Sequence, residues 1–204
     1  MKNLRPYLNK SIIEAGCDEA GRGCLSGPVV AGAVVLNPDK KIKGLNDSKK
    51  LSEKDRLLLR DEIILNALDY AVGIVSNNEI DEINILNASF LAMHRAIDQL
   101  KNTRPQHLLI DGNRFTPYMN IKHSCIIKGD SIYQSIAAAS IIAKTTRDQI
   151  MFDLHEQHNE YDWKNNKGYP TKKHRKAIAQ FGTTTHHRMT FNLLGSDAQL
   201  NLFK

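Results

Sequence analysis

The chain has 204 residues, 41% of them hydrophobic and 25% charged, with a formal net charge of +6. That length fits one domain with at most a small appendage, and it is enough to bury a core without disulfide or zinc staples. No apolar run approaches the ~18–20 residues of a membrane-spanning helix, and the opening Met1-Lys2-Asn3-Leu4-Arg5-Pro6-Tyr7 lacks the apolar stretch of a secretory leader.

Cys17, Cys24 and Cys125 form no C-x-x-C pair, so neither a disulfide framework nor a zinc ribbon is expected, and a reduced, cytoplasmic compartment is. The charge is unevenly placed. Between Trp163 and Ser196 there is no Asp or Glu, while Lys164, Lys167, Lys172, Lys173, Arg175, Lys176 and Arg188 all fall there. The rest of the chain carries one more acid than base, so the whole basic excess lies in this segment. A solvated lysine-rich face would account for it; a local excess with no acid to neutralise it also suits a polyanion, nucleic acid first.

In chain order, residues 11–17 read as a strand and Val29 to Leu36 as a second, β-branched one. Gly21, Gly23, Gly27 and Pro28 mark the turn of an antiparallel hairpin between them. Ser52 followed by Asp55 predicts an N-cap and an acidic first turn for a helix to about Leu68. Tyr70 to Val75 reads as a third strand. Leu86, Phe90, Met93, Ile97 and Leu100 recur at helical spacing and predict a long helix with a core-facing stripe. His107 to Asp111 is a short strand ending in an acid and a glycine, and Ser124 to Ile127 is another, ending at Lys128-Gly129-Asp130. Ser131 to about His158 reads as a helix whose Ala137, Ala138, Ala139 and Ser140 allow close packing on a sheet, and Thr171 to Gln180 as the last helix. A hairpin followed by alternating helices and strands predicts a mixed-sheet α/β or α+β domain with a helical C-terminal extension.

Four acids stand at strand ends beside glycines: Asp18, Glu19, Asp111 and Asp130. Carboxylates there can converge on one edge, where they repel unless a cation neutralises them. Oxygen ligands without Cys or His suit Mg2+ or Mn2+, and two such ions ~3.5–4 Å apart support phosphodiester hydrolysis. Read singly, these acids also suit turns and caps; Asp130 would be an ordinary helix N-cap. In Gly21-Arg22-Gly23 the missing side chains let backbone amides approach a sugar hydroxyl or a phosphate, or simply make a tight turn.

The run Cys17-Asp18-Glu19-Ala20-Gly21-Arg22-Gly23, with Gly27-Pro28-Val29-Val30-Ala31-Gly32, resembles the opening of ribonuclease HII. Asp47-Ser48-Lys49-Lys50-Leu51-Ser52, Leu109-Ile110-Asp111-Gly112, and Lys128-Gly129-Asp130 with the stretch Ser135 to Lys144 match its next blocks. Lys167-Gly168-Tyr169-Pro170-Thr171 and His187-Arg188-Met189-Thr190-Phe191 are similar to its last two. The likeness spans residues 11 to about 192, in order. It departs at Met189-Thr190, where the family pattern is more basic and contains a serine.

This resemblance implies an α/β, RNase H-like fold: a five-stranded mixed sheet flanked by helices (residues 1–160), a basic helical substrate-binding extension (161–196) and a tail (197–204). It implies an endonuclease that cuts the RNA strand of RNA–DNA hybrids and the 5′ side of single ribonucleotides in duplex DNA, leaving 3′-hydroxyl and 5′-phosphate ends. Asp18, Glu19, Asp111 and Asp130 would be the catalytic acids holding two Mg2+ or Mn2+ ions. Gly21, Arg22 and Gly23 would read the 2′-hydroxyl, and Tyr169 would pack against the deoxyribose 3′ of the junction. Lys49, Lys144, Arg147 and Lys167 are further substrate contacts, and the basic segment would hold the DNA flanks. Ser140 and Lys144 share one helix face, but a water-using hydrolase needs no Ser-Lys nucleophile. His155 and His158 read as surface residues.

In the tail, Gln199, Leu200, Leu202 and Phe203 resemble the peptide by which bacterial repair proteins dock on the sliding clamp; the same apolar residues would equally fold back on the domain. Nothing argues for an oligomer. Two other readings are a hybrid-binding module without chemistry and another RNase H-like nuclease, such as a junction resolvase. The four acids speak against the first, and the Gly-Arg-Gly loop with Tyr169 against the second.

Overall fold

The structure is a computed structural model and describes residues 4–45 and 51–195. Strands β1 (Glu14–Ala20) and β2 (Val29–Val35) form the expected hairpin, pairing Asp18 with Gly32 and Ala20 with Val30. β3 (Asp69–Val75) extends it antiparallel on β2. β4 (His107–Asp111) and β5 (Lys122–Ile126) are added in parallel on the far side of β1, so the sheet order is β3-β2-β1-β4-β5. The helices are α1 (Glu53–Asn66), α2 (Asn77–Asp98), α3 (Gln134–Gln157), α4 (Trp163–Asn166) and α5 (Lys172–Phe181).

Local signals set most starts. Ser52 caps α1 by accepting from the Asp55 N–H, and Thr171 caps α5 by accepting from the His174 N–H. Ser76 and Glu79 form a reciprocal capping box at α2. The run labelled α2 is interrupted at Asn84 (φ 65°), whose Oδ1 accepts from Leu86 and Asn87 N–H groups and so caps a second helical segment. The expected stripe belongs to that second segment. Met93 and Ile97 are buried with Ala88, Ala92 and Ala96, whereas Leu86, Phe90 and Leu100 are half-buried at its margins.

Helices cover both faces of the sheet. On one, Cys17, Val29, Ala31, Ala33, Leu108 and Ile110 pack against Ala88, Ala92, Met93 and Ala96 of α2. On the other, α3 lies directly on β1 and β2. A Cβ at Gly16 would stand 2.2 Å from the Ser135 carbonyl carbon, and one at Gly32 would stand 2.5 Å from the Ala139 carbonyl oxygen. Only glycine permits this contact, and the alanine run supplies the matching flatness on the helix. α3 continues past the sheet, and Met151 joins Leu25, Tyr161, Trp163, Ala177 and Ile178 in a separate apolar cluster that roots α4 and α5.

Two expectations shift. β1 runs to Ala20, so Asp18 and Glu19 lie within the strand, because hairpin pairing continues past the acids. Asp130 is not the cap of α3. It sits in a 3-10 turn, Gly129–Ser131, entered through Lys128 at φ 57°, and Tyr133 occupies the cap position. No helix among the described residues is long and apolar enough to cross a membrane.

Candidate active site

Pleat and register assemble the acids. Cys17 pairs with Ile110, so Asp18 and Asp111 come next along neighbouring parallel strands. Cys17 and Ile110 belong to the α2-side core, so alternation turns Asp18 and Asp111 toward α3 and Glu19 toward the α2 side at the strand end. The Glu19 N–H donates to Asp18 Oδ1 at 2.7 Å, and Ser140 of α3 hydrogen-bonds the same carboxyl. The Gly129 N–H donates to Asp111 Oδ1 at 2.7 Å, tying the turn that carries Asp130 to the end of β4. Arg22 Nη1 donates to Glu19 Oε1 at 3.0 Å. Asp18 and Asp130 are buried.

Electrostatics reflect the crowding. Burial, then the charges of Glu19 and Asp111, push the Asp18 carboxyl well above the usual carboxylate range. Burial also raises Glu19, with Arg22 opposing and Asp111 adding to the rise. Beside them, burial and Asp18 push the Cys17 thiol up to about 12, so it is inert packing. The donor set is entirely hard oxygen, the type a divalent cation takes, and a cation would remove the mutual repulsion that raises these groups. Among the described residues no three acidic, His or Cys side chains are already spaced to hold one ion.

The Gly-Arg-Gly loop lies next to this group, and its two glycines have different reasons to be glycine. Gly21 has φ +96°, and a Cβ there would stand 2.0 Å from Arg147 Nε. A Cβ on exposed Gly23 would meet nothing within 4 Å, so nothing in the fold itself excludes a side chain there.

Arg147, expected among the substrate contacts, lies inside instead. Its guanidinium donates to the carbonyls of Pro28, Lys167 and Ser26. Arg188, counted by sequence as part of the basic surface, is also fully buried and donates to the carbonyls of Gly21, Arg22, Gly27 and Pro28. The two arginines therefore brace the glycine loop from below. Their planar forks suit several carbonyls at once, which residue counting could not reveal. Arg175 likewise donates to the carbonyls of Asn192 and Leu193, and Lys173 pairs with Asp162, so the basic surface is smaller than the composition suggests.

Tyr169 is 42% exposed and hydrogen-bonds the Cys24 side chain just past the glycine loop. Lys144 Nζ lies 6.0 Å from the Tyr169 ring centre and 2.7 Å from Asp148 Oδ1. Ser140 is bonded to Asp18 and Lys144 to Asp148, so the helix-face pair is divided between two other partners. Lys167 is half-buried at φ 50°, and its carbonyl receives Arg147. Lys49 and the tail residues Gln199, Leu200, Leu202 and Phe203 lie outside the described residues.

Sequence reasoning missed three supports. Ser140 is one; its place four residues before Lys144 was the available signal. Asp81 is another, accepting from the N–H groups of Met189 and Thr190 and from Thr190 Oγ1, which gives the divergent Met189-Thr190 pair a structural anchor. The third is a ring cluster of His158, Tyr161, Trp163, His174, His186 and His187. His158 is thus half-buried among aromatic rings, not a plain surface residue; His155 too is half-buried, its Nδ1 enclosed without a hydrogen-bond partner.

Residues 15–194 match the family model of ribonuclease HII. Ribonuclease HII of Bacteroides thetaiotaomicron is 68% identical over 199 residues, covering 98% of each chain. Among solved structures, ribonuclease H2 from Pyrococcus horikoshii OT3 has a TM-score of 0.72 at 30% identity, covering 89% of this chain and 94% of that one. Ribonuclease HII of Archaeoglobus fulgidus, solved as a PCNA complex, has a TM-score of 0.74 at 26% identity, covering 91% and 98%. The readings as an inert binding module and as a junction resolvase give way to these matches. The chain belongs to the ribonuclease HII family and is a ribonuclease H type endonuclease acting on RNA–DNA hybrids.

Proposed function

We propose that the chain cuts on the 5′ side of a ribonucleotide, both in continuous hybrids and where a single ribonucleotide is embedded in duplex DNA, leaving 3′-hydroxyl and 5′-phosphate ends. The observation that carries this reading is the meeting of Asp18, Glu19 and Asp111 at one end of the sheet, where burial and like charge raise the first two. With Asp130 they would hold two Mg2+ or Mn2+ ions. Such ions, when bound, supply an activated water and neutralise charge on the leaving oxygen. The chain's own part is orientation: Ser140 and the Glu19 N–H hold Asp18, the Gly129 N–H holds Asp111, and Arg22 holds Glu19.

The open space over Gly23 leaves room for a ribose, and the loop amides can bond its 2′-hydroxyl, the group that separates RNA from DNA. Tyr169 would pack on the deoxyribose beyond the junction; Lys49, Lys144 and Lys167 would meet phosphates. Residues 199–203 would dock on a sliding clamp, a reading supported by the clamp-bound archaeal relative. Truncation after Asp197 should abolish clamp binding in a titration while leaving hybrid cleavage intact; equal binding by both forms overturns it.

Cleavage with Mg2+ of a duplex with one ribonucleotide, a continuous hybrid and an all-DNA control tests the main reading. The first two should be cut 5′ of the ribonucleotide and the control left whole. Asp18→Asn and Asp111→Asn should stop cleavage while hybrid binding, followed by fluorescence anisotropy, stays close to wild type. Near-wild-type turnover in either variant refutes the role of the acids.

A further inference from the structure

His174 has no surface exposure, and both of its ring nitrogens are used. Trp163 Nε1 donates to Nε2 at 3.0 Å, and Nδ1 lies 2.9 Å from the Tyr169 carbonyl oxygen. An indole nitrogen only donates and a carbonyl only accepts. The imidazole is therefore the neutral Nδ1–H tautomer, giving its proton to Tyr169 and its lone pair to Trp163. A charged ring would turn a second N–H against the indole N–H.

Both ends of this bridge are informative. Trp163 is fully buried and stacked on Tyr161 with ring centres 5.1 Å apart, so it is an immobile base. At the other end lies the main chain of the residue whose ring faces solvent beside Cys24 and Lys144. The Tyr169 N–H is bonded to the Asn166 carbonyl, and its carbonyl also accepts from the Thr171 N–H. On its N-terminal side, a Cβ on Gly168 (φ +80°) would stand 2.7 Å from the Ser26 carbonyl oxygen. His174 supplies the link between this tight turn and the core of the C-terminal segment.

We propose that His174 is a positioning residue that sets the height and direction of the Tyr169 ring, and through it the enzyme's preference for a ribonucleotide followed by DNA. This rests on the reading of Tyr169 as the deoxyribose contact. A pinned main chain presents the ring at one fixed point; an unpinned one spreads it over several, and a contact needing a single geometry is lost first.

Two substitutions separate positioning from general damage. In His174→Asn the amide nitrogen replaces Nδ1 and keeps a donor for the Tyr169 carbonyl, leaving the indole unpaired. In His174→Gln the amide replaces Nε2 and keeps an acceptor for Trp163, leaving the Tyr169 carbonyl with the Thr171 N–H alone. His174→Asn strands the buried indole N–H whereas His174→Gln strands nothing, so a merely structural role predicts that His174→Asn is the more damaging of the two. Positioning predicts that His174→Gln raises KM for the single-ribonucleotide duplex about fivefold relative to the continuous hybrid, the worth of one neutral hydrogen bond. His174→Asn should keep the wild-type ratio, and adding His174→Gln to Tyr169→Ala should change the ratio no further. Equal ratios in the two histidine variants overturn the proposal. If Tyr169→Ala itself leaves the ratio unchanged, it is the reading of Tyr169 that fails. Should neither variant fold, long-range 15N–1H correlation on the wild-type protein decides: an Nδ1–H imidazole supports the bridge, and an Nε2–H imidazole overturns it.

Discussion

At the scale of single residues, the glycine loop shows that one residue type can answer to two causes. Gly21 is demanded from within, by a left-handed φ and by Arg147 pressed against its α-carbon. Arg147 cannot withdraw, because three carbonyls hold its guanidinium. Gly21→Ala should therefore destabilise the protein by about 1–3 kcal/mol in urea denaturation. Gly23 is free of both constraints, so Gly23→Ala should alter stability by no more than about 0.5 kcal/mol. If the loop reads a ribose, that same substitution should weaken hybrid binding, measured as KM in the cleavage assay. Equal destabilisation by the two alanines would show that the loop is packed alike at both positions. The sequence showed the pair of glycines; the difference between them came from Arg147, more than 120 positions further along.

At the scale of elements, the segment after α3 behaves as an aromatic block in which His174, His186 and His187 are held toward the neutral form. Burial, with His174 next, lowers His187 to about 4, and burial lowers His174 and His186 as well. A histidine with a depressed pKa binds fewer protons folded than unfolded, so its contribution to stability is complete above the unfolded value of ~6.5. It is lost progressively as pH falls from there toward about 4. The single Trp163 lies in this block and reports on it directly. Its fluorescence should show a transition between these limits, and His187→Gln should diminish the loss; a flat signal from pH 7 to 4.5 would contradict the account. The starts of α1 and α5 were legible because Ser52 and Thr171 act within one turn of themselves, whereas the α2 stripe pointed to Leu86 and not to the capping box at Ser76. The ring cluster was not, because His158, His174 and His187 meet only when α5 folds back on Tyr161 and Trp163.

At the scale of the whole molecule, charge that composition assigns to a surface is redistributed by burial. Arg188 is internal, Arg175 grips the chain that follows α5, and Lys173 faces Asp162, which leaves Lys164, Lys172 and Lys176 among the exposed cations of this segment. If these hold DNA phosphates, Lys172→Gln with Lys176→Gln should lower the slope of log affinity against log salt by about 2, near one unit per phosphate contact. An unchanged slope would place the duplex elsewhere. The mixed sheet and the place of Asp111 at the end of β4 were readable from sequence, since a hairpin turn, helical periodicity and a short apolar run ending in Asp are local patterns, whereas Asp18 and Glu19 fall within β1 and Asp130 in a 3-10 turn. The resemblance carried the family. Tertiary packing alone decided that Asp18 and Asp111 stand side by side facing α3, that Arg147 and Arg188 support the glycine loop from inside, and that His174 joins Trp163 to Tyr169. The first depends on the parallel register of β1 with β4, and the other two on which distant carbonyl or ring completes a buried polar group. That choice is made by burial, because a buried donor or acceptor left unpaired costs more than any local preference supplies.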